Sequence, residues 1–160
     1  MRNRRITAVG LVLVLSLASM SFKCGGGGCA DNSPLCNSAR AADAIAKSIG
    51  EATTVKRELA KQGKISSAEE LKLTQQLLRL NTADKVFVRR LNALNAAPDA
   101  ATRQQLTGLF NEVTAALDDL NTNGVLGIQD QGARDRLTAI ITAIRASVQI
   151  IQPFLAGGGG

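Results

Sequence analysis

From Asn37 to Leu155 the apolar residues recur every three or four positions, the spacing that lines one face of an α-helix. Ala42, Ile45, Ile49, Ala52, Val55 and Leu59 form the first stripe and predict a helix over about 38–62. Asn37 or Ser38 is placed to cap its start, and Gly63 suits a left-handed stop. A second helix, about 66–95, opens with two overlapping capping boxes, Ser66-x-x-Glu69 and Ser67-x-x-Glu70. Its Leu73, Leu77, Leu80, Phe87, Leu91 and Leu94 fall on a heptad seam in which Asp84 is the irregular member. Pro98 and Asp99 begin a third helix, about 98–122, with Leu106, Phe110, Val113, Leu117 and Leu120 as its stripe. Asn121 to Gly124 end it. The fourth, about 130–155, turns Leu137, Ile141, Ile144, Val148, Ile151 and Leu155 inward. Long helices joined by short links make antiparallel neighbours, so the pattern predicts an all-α, up-down four-helix bundle over 38–156. A glycine tail, 157–160, is expected to be disordered. A seam this regular also pairs between chains, which leaves monomer and homodimer both open.

The pattern before residue 38 is of another kind. Arg2, Arg4 and Arg5 precede an uncharged, mostly apolar run from Ile6 to Met20, and Cys24 follows. A basic head, an apolar run too short to span comfortably and a small-residue exit read as an export signal over 1–23. The expected location is the bacterial cell envelope, anchored at the membrane and facing the periplasm or the exterior. Arg4-Arg5 lacks the continuation of a twin-arginine signal, since Ile6-Thr7-Ala8 follows. Residues 24–37 then read as a Cys/Gly-rich tether. Cys24 is a candidate for lipidation, with Cys29 and Cys36 left to form a disulfide. Lys23 immediately before the Cys departs from the lipoprotein pattern. Cleavage after Ser21 and an uncleaved anchor are the other two outcomes.

Charge changes the picture once it is divided. The chain holds 19 Lys and Arg against 13 Asp and Glu, a net +6. Four of the cations and none of the acids precede Cys24, so the remainder carries about +2 and the basic character belongs largely to the signal. A nucleic-acid partner is not expected. There is no His, Trp or Tyr, and no Met beyond Met20. Haem held by His or Met, a Glu-x-x-His di-iron site, a His-bearing zinc site and Ser-His-Asp or Cys-His catalysis are excluded. The sequence therefore predicts neither an enzyme nor a cofactor or metal, and Gly25 to Gly28 carry no phosphate-loop pattern.

Three features remain as candidates. Asp84 is costly on a leucine seam unless it is paired or reaches water. Folding the first two helices back near residue 64 places it opposite about residue 44, within a turn of Lys47. An Asp84–Lys47 pair, a rotation that exposes Asp84, and a functional acid are the readings. Lys85, Arg89 and Arg90 form a basic patch, and Lys56, Arg57, Lys61 and Lys64 another. Each is a solvated face or a contact for anionic headgroups or an acidic partner. Val125, Leu126 and Ile128 form either local packing, with Gly124 at a left-handed stop, or an apolar tip for a partner or membrane. The expected function is that of a non-enzymatic, membrane-tethered bundle acting through protein or lipid contacts, its envelope partner unspecified. The alternatives are a soluble exported carrier of a small apolar ligand and a membrane-active helical protein.

Overall fold

Ser33 and Pro34 start the first helix. The Ser33 hydroxyl accepts from the Cys36 N–H at 3.2 Å, and Pro34 takes the first turn, where its missing N–H costs no hydrogen bond. α1 therefore runs Pro34–Lys61, beginning earlier than the expected cap at Asn37 or Ser38. Ser38 instead lies inside the helix, fully buried, its hydroxyl donating to the Pro34 carbonyl at 2.9 Å. The computed structural model describes residues 33–96 and 100–156. The expected export segment, Cys24, Cys29, the Gly25–Gly28 stretch, the expected helix start at Pro98 and Asp99, and the tail 157–160 lie outside the described residues.

α1 closes as expected. Gly63 adopts φ 67°, the Lys64 N–H reaches the Leu59 carbonyl at 2.9 Å and the Gly63 N–H reaches Ala60 at 3.0 Å. That pair of bonds is a Schellman stop, and buried Ile65 follows it. α2 runs Ser67–Ala96. Of the two capping boxes the Ser66/Glu69 one forms: Glu69 Oε2 accepts from the Ser66 N–H at 2.6 Å, and Ser66 Oγ accepts from the Glu69 N–H at 3.3 Å. α3 is Ala100–Asp119 and α4 is Gln131–Leu155, the latter capped by Asp130, which accepts from the Ala133 N–H at 2.8 Å.

The four helices pack antiparallel. Contact is most extensive between α1 and α4 and between α2 and α3, lighter between α1 and α2, and lightest between α3 and α4. Every heptad-seam residue of α2 is buried, and the stripes of α1, α3 and α4 meet it in one continuous core. Phe87 and Phe110 cross near its centre, ring centroids 6.0 Å apart. Each fully buried Leu or Ile contributes roughly 1.5–3 kcal/mol.

The link from α3 to α4 departs from expectation. Leu120–Val125 is a π-helical turn, in which the Leu126 N–H bonds back to the Asn121 carbonyl at 2.9 Å. Gly124 is not a left-handed stop, since Gly63 is the one residue with positive φ among those described. The wider turn swings Val125 inward and lets Gly124 lie against α2. A Cβ there would stand 3.3 Å from both Leu120 Cδ1 and Leu73 Cδ2.

Candidate functional site

Asp84 is the first departure from a plain core. It is 2% exposed, and its Oδ1 has no hydrogen-bond partner. The expected partner is elsewhere: Lys47 bonds Asp43 at 2.7 Å on the exposed face of α1. The pair fails because residues four apart on one helix face meet without crossing an interface. The alternative rotation fails as well, because the leucines flanking Asp84 hold it inside. Burial pushes its carboxyl up to about 7, opposed by Lys85 beside it and reinforced by Asp43 across the α1–α2 interface.

Lys56, assigned by sequence to a surface patch, is also buried, at 7% exposure. The apolar stripe places it on the inner side of α1, one position after Val55. Its Nζ donates to Thr74 Oγ1 at 2.6 Å and stands 3.8 Å from Glu70 Oε1. Burial lowers its pKa, while Glu70 acts in the other direction. Arg57, Lys61 and Lys64 stay exposed, with Lys64 bonding Asp130 at 3.2 Å.

The expected apolar tip is mostly interior. Val125 and Ile128 are each 1% exposed, and Leu126 alone faces solvent. Cys36 is buried in the first turn of α1 and is disulfide-bonded, its partner lying outside the described residues.

Charges divide between the two ends of the bundle. Each of Lys56–Glu70, Lys64–Asp130, Arg79–Asp119, Arg136–Glu58 and Arg145–Asp118, which join different parts of the chain among the described residues, has a member at the end where α1 finishes and α2 starts, or at the close of α3 beside it. Lys56–Glu70, Lys64–Asp130 and Arg136–Glu58 lie within those turns, while Arg79 and Arg145 reach Asp119 and Asp118 from farther along α2 and α4. At the opposite end, where α1 begins, Lys85, Arg89 and Arg90 on α2 are joined by Arg103 on α3. None of these four forms a salt bridge with a described residue. Asp43 is committed to Lys47, and Asp84 is sealed in the core. Arg103 is not legible in the sequence as sharing their end of the bundle, because only the antiparallel return of α3 along α2 places it there.

Two apolar surfaces complete the inventory. An open groove of about 640 Å³ runs between α2 and α3, with Leu78, Ala83, Val86, Ala115 and Ala116 on its walls and Arg79 and Glu112 beside them. Leu78 and Val86 are exposed there. The outer face of α4 is nearly uncharged past Arg136, carrying Ala139, Thr142, Ala143, Ala146 and Ile150. α4 is long and apolar enough to cross a membrane by length and composition, with about a third of its most apolar stretch buried in the bundle. Among the described residues no three His, Cys, Asp or Glu side chains converge as a metal would require. No protein-family model matches the chain, and no curated protein or solved structure is similar to it.

Proposed function

We propose that the chain is exported, held at a membrane of the bacterial cell envelope, and acts there through protein or lipid contacts rather than by catalysis. The observation that carries this reading is where the leader joins the fold. The basic, apolar and Cys/Gly segments of residues 1–32 run directly into Pro34 at one end of a bundle roughly 42 Å long. A tether attached there holds the bundle by one end and leaves its sides open to partners.

The test is an intact mass of the protein from membrane and soluble fractions of its host, with and without reductant. An acylated chain beginning at Cys24, or a full-length chain retained in the membrane, supports the tether. An unmodified chain starting near Phe22 in the soluble fraction overturns it. The α2–α3 groove favours one second reading, a carrier of a small apolar ligand. That reading expects saturable binding of an apolar fluorophore, abolished when Ala115→Trp fills the groove.

A further inference from the structure

The two ends of the bundle differ in a way that the tether makes functional. At the end remote from the leader, carboxylates answer the cations across helix boundaries, as with Lys56–Glu70, Lys64–Asp130 and Arg136–Glu58. At the end where the leader enters, the last turns of α2 and the first turn of α3 present Arg89, Arg90 and Arg103, with Lys85 a turn farther in. Arg89 and Arg103 are exposed, while Lys85 and Arg90 are half-buried. On the facing part of α1, the exposed Asp43 is occupied by Lys47 at 2.7 Å.

The same end carries apolar surface. Because α4 runs antiparallel to α1, its C-terminal residues return beside the start of α1. Ile150 is 55% exposed, Pro153 is exposed, and Phe154 and Leu155 are half-buried against the core. Guanidinium groups on α2 and α3 without a salt bridge to a described residue, at the same end of the bundle as partly exposed apolar side chains of α4, match the chemistry of a phospholipid interface, with phosphates outside and the acyl boundary beneath. An acidic protein would answer the cations but not the apolar rim.

We propose that the leader-proximal end of the bundle rests on anionic phospholipid, with Arg89, Arg90 and Arg103 toward the phosphates and Phe154 and Leu155 toward the acyl boundary. This rests on the tethered reading, since the leader and the docking surface share that end. The tether supplies the high local concentration, and the cations fix which way the bundle faces. The bundle then stands upright, with its ion-paired end outward and the α2–α3 groove open at the side.

The test uses the full chain with vesicles of phosphatidylcholine, alone or mixed with anionic phosphatidylglycerol. Each basic residue near an anionic surface adds about fivefold to partitioning. The triple variant Arg89→Gln, Arg90→Gln, Arg103→Gln is expected to lose at least about tenfold of the anionic preference. A control, Arg57→Gln with Lys61→Gln at the remote end, is expected to keep it. Phenylglyoxal labelling read by mass spectrometry reports orientation: Arg89 and Arg103 become protected on anionic vesicles, and Arg57 stays reactive. Equal losses in both variants, or labelling that does not distinguish the ends, would overturn the proposal. So would binding to polyglutamate without binding to anionic vesicles, which would give the patch to an acidic protein. Because both variants retain the leader, their difference reads the docking surface, whereas fractionation and mass read the tether.

Discussion

The two ends of the bundle handle buried charge in opposite ways. Near the α1–α2 turn, Lys56 is taken out of water but keeps a hydroxyl at 2.6 Å and a carboxylate at 3.8 Å. Toward the other end of the same interface, Asp84 is buried more deeply, and its Oδ1 has nothing to bond. The pattern extends outward from each. Around the remote turn, Glu69 serves two backbones at once, accepting from Ser66 and, at 2.9 Å, from the Gln129 N–H before α4. Asp130 caps α4 while bonding Lys64. That end ties its turns together with polar bonds, whereas farther along the same interface, toward the start of α1, the core buries a carboxylate oxygen it does not satisfy.

The ends therefore respond to acid with opposite sign. Asp84 titrates near 7 in the fold and near its ordinary value when unfolded. Between those values the native state keeps a proton that the unfolded chain releases, so stability from this group is full below about pH 4 and is lost as pH rises to about 7. Glu69 is shifted the other way, lowered first by the Ser66 hydroxyl, and Asp130 likewise, lowered first by the Ala133 N–H. Their contributions are present above the ordinary carboxylate range and fade as pH falls through their depressed values. The bundle is thus expected to be most stable in mildly acidic solution.

Removing the unsatisfied charge is the largest expected effect. Asp84→Asn raises unfolding free energy by about 2–4 kcal/mol above pH 7 and flattens the slope between about pH 4 and 7. Urea denaturation at pH 5 and pH 8 measures both, and an unchanged slope would show that Asp84 does not carry it. Next is Gly124→Ala at the remote end. The new methyl must displace Leu73 and Leu120 at 3.3 Å, costing about 1–3 kcal/mol by the same assay. Thr74→Val removes the hydroxyl that partners Lys56 and is expected to cost about 1–2 kcal/mol, leaving the buried ammonium with Glu70 alone at 3.8 Å. Smallest is Glu69→Gln, which weakens the capping box and the bond to Gln129 for a loss of about 1 kcal/mol near neutrality. Its loss should shrink only below the ordinary carboxylate range, where Glu69 is protonated, whereas the gain from Asp84→Asn already fades between about pH 7 and pH 4.

Much of this was legible in the chain. The α2 seam, the Gly63 stop, the Ser66 cap and the stripes of α1, α3 and α4 follow from local rules, and the structure keeps them. The misreadings share a cause. Sequence distance from the turn places Lys47 and Asp84 at one level of the interface but does not give the direction of either side chain, and Lys47 turns to Asp43. Ser38 has the polar side chain that favours a helix start, yet Ser33 followed by Pro34 provides the cap instead. Gly124 carried the composition of a stop, and a π turn used its small size for close packing instead. Arg103 gives no local signal because Arg89 and Arg90, which share its end of the bundle, lie more than ten positions earlier in the chain.

By itself the sequence determined that this is a helical chain with four amphipathic segments, and which chemistries its residue types exclude. Periodicity reports burial, because removing apolar surface from water is the dominant favourable term and needs no particular partner. Tertiary structure decided which charges are satisfied and which surfaces share an end. Those depend on the rotation of each helix about its axis and on pairing between antiparallel neighbours, where a shift of one side chain separates a bonded Lys56 from an orphaned Asp84.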